Sequence, residues 1–183
     1  TGPLYLPPLH VYQRHSLPAE GIPEALAQHH RTIAQKSSAA RKDAPESAVT
    51  TGIRLEGYPV PLCIKEYRPG AFPRRPASSR ARRGWIAQNG CRARGLLVPA
   101  PLALLLPENR KGSAYLIQED LSTQGLELDR YLLQKMLPWK GTPDHRRFVE
   151  ALADALEEAH RKGIRLADLK TCNLFVSPSP FPL

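Results

Sequence analysis

Apolar positions in this chain repeat with two periods, and the changes of period mark its elements. Val49, Ile53 and Leu55 alternate with polar neighbours as a strand requires, Glu56-Gly57-Tyr58-Pro59 reads as a turn, and Leu62 to Tyr67 resumes an extended pattern. The spacing therefore predicts a β-hairpin over 49–67. Leu102 to Leu106 and Tyr115 to Gln118 are two more apolar runs, joined by a polar, glycine-containing turn at 108–112. Helical spacing is clearest in His145 to Lys162, where Phe148, Val149, Leu152, Leu156 and Ala159 share one face and Gly163 ends the run. Shorter helices are expected over Ile22 to Gln35 and Leu126 to Met136. A further one, capped by Ser78 or Ser79, should run through Trp85 to Ala93 and stop at Gly95. Lys36 to Pro45 and Arg68 to Pro76 read as loops. Mixed strands and helices in this order predict an α+β protein.

Composition narrows the class. The chain has 183 residues, 42% of them apolar, enough to bury a core; its 19 prolines point to many loops rather than disorder. No apolar run approaches the roughly 20 residues of a membrane span, and no charged-then-apolar leader is visible at Thr1. Three cysteines, Cys63, Cys91 and Cys172, are widely spaced and odd in number, with no C-x-x-C, which argues against both a disulfide framework and a zinc site and fits a reducing cytoplasm.

Charge adds a partner class. The formal net charge is +9, and no acidic residue occurs from Tyr67 to Pro107, whereas Arg68, Arg74, Arg75, Arg80, Arg82, Arg83, Arg92 and Arg94 crowd that window. Such a cluster attracts phosphate groups, unless it is merely a solvated helix face.

The candidate chemistry lies near the end of the chain, in Asp168-Leu169-Lys170-Thr171-Cys172-Asn173. Asp, then Lys two residues on, then Asn three further, is the core of a kinase-type catalytic loop. There the Asp accepts the proton of the attacking hydroxyl, the Lys neutralises the moving phosphoryl group, and the Asn holds magnesium. The surroundings suit it: an amphipathic helix precedes the loop, Leu174-Phe175-Val176 follows as a short strand, and a strand carrying Lys65 lies about a hundred residues upstream.

Four stretches together resemble the lipopolysaccharide kinase family, bacterial kinase-like proteins that phosphorylate inner-core sugars: Cys63 to Tyr67, Ser79 to Trp85, Leu97 to Ala103, and Gly163 to Val176. The resemblance covers roughly residues 49–176. It implies a protein-kinase-like fold with a small five-stranded antiparallel β lobe holding one helix (46–119), an incomplete helical lobe (120–183), and an N-terminal extension (1–45). It implies ATP and Mg2+ as cofactors and a hydroxyl of a lipopolysaccharide core sugar, or another anionic glycolipid, as acceptor. The expected location is cytoplasmic, peripheral to the inner membrane. In this reading Lys65 contacts the α- and β-phosphates, Glu119 and Leu121 bracket a hinge whose backbone meets adenine, Asp168 and Lys170 are catalytic, and Asn173 ligates the metal.

The chain also departs from the pattern. The place of the bracing histidine is Leu166, the upstream Lys has no acidic helix partner between Glu66 and Glu108, and glycines near the hairpin are few, Gly52 and Gly57. The second metal-binding Asp of a kinase is not found between Asn173 and Leu183, so the helical lobe reads as incomplete. A catalytically impaired pseudokinase or nucleotide-binding scaffold is the alternative. A basic nucleic-acid-binding protein ranks third, because only 7% of residues are aromatic and no nucleic-acid module is recognisable.

Overall fold

The 49–67 hairpin forms as its alternation dictates, and the rest of a sheet assembles around it. The computed structural model describes residues 9–13, 17–69, 76–108, 112–136, 140–166 and 169–177. The structure is α+β and divides into two units, Thr1–Asp120 and Leu121–Leu183.

The first unit contains β1 (Leu9–Gln13), α1 (Gly21–Ala34), β2 (Ala40–Ala44), β3 (Ser47–Ile53), β4 (Leu62–Tyr67), α2 (Ala77–Ala93), β5 (Pro101–Pro107) and β6 (Ala114–Glu119). The strands make one antiparallel sheet in the order β1-β5-β6-β4-β3-β2. Strand alternation sends β4 side chains to opposite faces. Leu62 and Ile64 join Ile117, Leu105 and the α1 residues Ile22, Ala25 and Leu26 in the larger core cluster. On the other face, Ala77 and Ala81 of α2 pack with Leu104, Leu106 and Ala114, flanked by Tyr67 and Trp85. One helix thus covers each face of the sheet. Helix α1 earns its place through a stripe at Ile22, Ala25, Leu26 and His29, spaced by three and four residues.

Here the sheet has six strands rather than five, and two helices rather than one pack on it. Part of the expected 36–45 loop is strand β2. Both missed strands lie at sheet edges, and most of their residues are exposed, so they carry no apolar alternation to read. The helix start at Ser78 or Ser79 also moves: α2 begins at Ala77, after Pro76, with no side-chain cap. Pro76 is itself extended (ψ 148°), so the helix begins at the residue after it.

The second unit contains β7 (Leu126–Glu127), α3 (Leu128–Tyr131), α4 (Pro143–Arg161) and β8 (Phe175–Val176). Leu126 and Glu127, expected to be helical, instead pair with Val176 and Phe175. After α3 the helix widens into a π turn over Leu132–Met136. Helix α4 begins at Pro143 and is capped by the residue before it. Thr142 Oγ1 accepts from the His145 amide, with Pro143 in the first turn. Its apolar stripe is half-buried at Phe148, Leu152 and Leu156, whereas Val149 is exposed. Gly163 ends the helix with φ 71°, a conformation side chains resist. Among the described residues no helix is long and apolar enough to cross a membrane.

Candidate functional site

Lys65 sits on β4, flanked by Val49 of β3 and Leu116 of β6. Its parity places it with Cys63 and Tyr67 on the face that α2 covers. Helix α2 approaches this face closely because residue 84 is glycine: a Cβ there would lie 3.1 Å from the Tyr67 hydroxyl and 3.2 Å from Leu116 Cδ2. One turn further along α2, Gln88 Nε2 donates to Gln118 Oε1 (2.6 Å), and Gln118 is the cross-strand neighbour of Cys63. Gln88 Oε1 is buried and has no hydrogen-bond partner among the described residues. No carboxylate among the described residues ion-pairs with Lys65. Burial pushes the Cys63 thiol up to about 11, so it stays protonated at neutral pH.

At the far end of β6, Glu119 pairs with Leu62 of β4. Its amide donates to Ala100 O (3.0 Å) and its carboxylate accepts from the Ala100 amide (3.3 Å). Asp120 is buried; its amide donates to Pro61 O (2.8 Å), and its Oδ2 accepts from the Gly52 amide (2.8 Å). Gly52 has φ 72° within an irregularity of the β3–β4 pairing, so the carboxylate pins a turn that side chains disfavour. The Glu119 and Asp120 amides expected to face adenine are therefore engaged within the unit. Leu121, half-buried, opens a 3₁₀ turn over Leu121–Thr123, and its carbonyl accepts from the Gln124 and Gly125 amides.

Of the catalytic-loop candidates, the second unit holds Lys170 and Asn173 on one turn. A 3₁₀ turn over Thr171–Asn173 follows Lys170, whose carbonyl accepts from the Asn173 amide (2.9 Å). Lys170 and Asn173 are both exposed, so neither is spent in a core. Leu166 is half-buried. Asp168 lies outside the described residues. The turn is anchored just beyond Asn173: the Leu128 amide donates to Leu174 O (2.8 Å), and Phe175 pairs with Glu127. Gly125 permits this, since a Cβ at that position would lie 2.5 Å from Val176 O. Gly125→Ala is therefore expected to destabilise the second unit by about 1–3 kcal/mol. Faster amide hydrogen exchange over 171–176, with exchange in β3 to β6 unchanged, is the measurement that checks it.

Much of the arginine cluster is engaged within the fold. Arg68 pairs with Glu66 (2.9 Å) and Asp43 (2.7 Å). Arg80 donates to Glu46 O and Arg68 O and lies over the Tyr67 ring. Arg92 and Arg94 donate to backbone carbonyls of Val98 and Gly90. Arg82 lies over the Tyr12 ring (5.9 Å) and, like Arg83, is exposed. Arg74 and Arg75 lie outside the described residues.

Sequence reasoning missed Gln88, Gln118, the hold of the Asp120 carboxylate on Gly52, and a polar cluster on the α1 face, His29, His30 and Glu66. The signal for the last was present as two adjacent histidines on an apolar helix stripe, opposite a Glu in a strand core. No family model matches this chain, and no curated protein matches it.

Proposed function

We propose that this chain is a kinase-type phosphotransferase that uses ATP with Mg2+ to phosphorylate a hydroxyl, with a lipopolysaccharide core sugar or similar anionic glycolipid as acceptor. The observation that carries this reading is the setting of Lys65. Counting β2 to β6 as the small lobe, Lys65 is on its third strand, and the next element, α2, covers the face of the sheet on which it lies. That is the arrangement in which a kinase Lys contacts the α- and β-phosphates and is steadied by a helix. Gln88, with its unpartnered Oε1, supplies a neutral acceptor on the helix where a kinase has Glu.

In the second unit, a long amphipathic helix leads to Lys170 and Asn173 held on one tight turn, followed by a pinned strand. This supports a loop that presents a cation and a magnesium ligand together. Asp168 would take the acceptor proton, Lys170 would neutralise charge developing on the transferred group, and Asn173 would ligate Mg2+. ATP supplies the phosphoryl group and Mg2+ its charge neutralisation. The exposed Arg82 and Arg83 fit an anionic acceptor.

The test is Mg2+-dependent transfer from γ-labelled ATP to lipopolysaccharide core acceptors, using the natural full-length protein. Lys65→Ala should weaken ATP binding about 10- to 100-fold, as expected for loss of a charged hydrogen bond. Absence of transfer to any hydroxyl acceptor would overturn the catalytic reading.

A second reading, a nucleotide-binding scaffold, is favoured by the β2–β3 turn. A kinase places its glycine-rich loop between the first two strands, and here the turn is Pro45-Glu46, with an acidic side chain and no glycine. Nucleotide-induced thermal stabilisation without transfer, persisting in Leu166→His, would select it.

A further inference from the structure

On the sheet face opposite Lys65, three side chains converge. His29 is fully buried, Glu66 is 5% exposed, and His30 is half-buried; one donor atom from each lies within 4.8 Å of the others. We propose that His29, His30 and Glu66 form a binding site for a divalent transition-metal ion of the zinc type, separate from any magnesium used with ATP and independent of the phosphotransferase reading.

The case rests on His29. Its Nδ1 is 2.8 Å from Thr50 Oγ1; in the tautomer with Nδ1–H donating there, Nε2 would offer its lone pair to a metal ion. Nε2 is buried, has no hydrogen-bond partner among the described residues, and lies 3.5 Å from Glu66 Oε2. In the metal-free chain a proton between these two atoms keeps them from repelling, and a divalent ion would take that proton's place. The separation is long for a charge-assisted hydrogen bond, about 2.7–2.9 Å. It matches the spacing of two ligands on one tetrahedral ion: bonds of about 2.0 Å place the donor atoms about 3.3 Å apart. Imidazole nitrogens and a carboxylate are the donors such an ion takes.

The surroundings support the ligands rather than replace them. Ser113 Oγ donates to Glu66 Oε1 (2.8 Å) and Arg68 Nε to Oε2 (2.9 Å), which orients the carboxylate as an outer shell would. Arg68 is a cation beside the site, but Asp43 pairs with it at 2.7 Å. Glu66, Asp43 and Arg68 together carry one net negative charge, so a divalent ion is not repelled. The Tyr115 hydroxyl, 3.3 Å from His30 Nε2, is the nearest further oxygen to that ring among its hydrogen-bond contacts. A metal here would tie α1 to β4 across the larger core.

The experiment uses the full chain stripped with chelator and titrated with Co2+, then with Zn2+. The expected result is one saturable equivalent, tetrahedral cobalt absorption in the visible without a sulfur-to-cobalt band, displacement by Zn2+, and a higher melting temperature with Zn2+. His30→Gln, altered at the more exposed ligand, should weaken Co2+ binding at least about 100-fold while the far-ultraviolet circular dichroism is kept. A measurement on unaltered protein is independent of any variant's folding: Zn2+ should shift the ring nitrogen resonances of His29 and His30. Failure to saturate, a sulfur band from cysteine ligation, unchanged affinity in His30→Gln, or an imidazolium at His29 that ignores Zn2+ would each overturn the proposal.

Discussion

Replacing Asp168 with Ala should reduce phosphoryl transfer by the full-length protein about 10²- to 10⁴-fold, the range spanned by loss of a positioned general base. The affinity for Mg2+·ATP should change little, because Asp168 is expected to touch the acceptor hydroxyl and not the nucleotide. This separates it from Lys65→Ala, whose effect falls on ATP binding. Single-turnover rates at saturating ATP, set beside nucleotide affinities from calorimetry, check the division. An Asp168→Ala protein that transfers at the unaltered rate would remove the residue from the mechanism. Loss of ATP binding along with transfer would instead point to a structural role in the loop before Lys170 and Asn173.

The largest effect on stability is expected at Glu66. It is 5% exposed and accepts from Ser113 and Arg68, with His29 beside it. Glu66→Ala leaves a buried guanidinium contact, a hydroxyl and an imidazole without their common partner. Removing one member of a buried ion pair typically costs about 3–5 kcal/mol. Urea denaturation at neutral pH, with chelator present, measures this in the metal-free chain. The same group gives the chain a pH dependence. Burial pushes the Glu66 carboxyl up, but the contacts with His29, Ser113 and Arg68 outweigh it and hold the group down at about 2, from an ordinary 4.5. A carboxylate lowered by folding stabilises the fold above its unfolded value. That contribution, about 3 kcal/mol, is therefore complete above about pH 4.5 and lost as the pH falls towards 2. Stability of the unaltered chain should drop through that window, and in Glu66→Gln the drop should be smaller by this amount.

The elements legible in the sequence are those whose own residues are buried on one side. Strands β3 and β4 and helices α1 and α4 appear within a few residues of their expected places, because a half-buried element must repeat its apolar positions at its own period. Edge strands β1 and β2 were not legible, since most of their residues meet solvent and their stability comes from pairing with β5 and β3. β7 was hidden differently: Leu126 and Glu127 continue a helical pattern in sequence but pair with Val176 and Phe175.

For the candidate site, the sequence by itself determined the local chemistry. The motif that pairs Lys170 with Asn173 is local, three residues apart on one turn, and the alternation around Lys65 fixes its parity on the strand. Only the tertiary structure decided their surroundings: Gly84 letting α2 close on the Lys65 face, Gln88 bonding Gln118 across to the sheet, and Asp120 pinning Gly52. The cluster of His29, His30 and Glu66 belongs wholly to that second category. The histidines and Glu66 are separated by more than thirty positions of chain between helix and strand, and only the packing of α1 on the sheet brings an imidazole to a buried carboxylate.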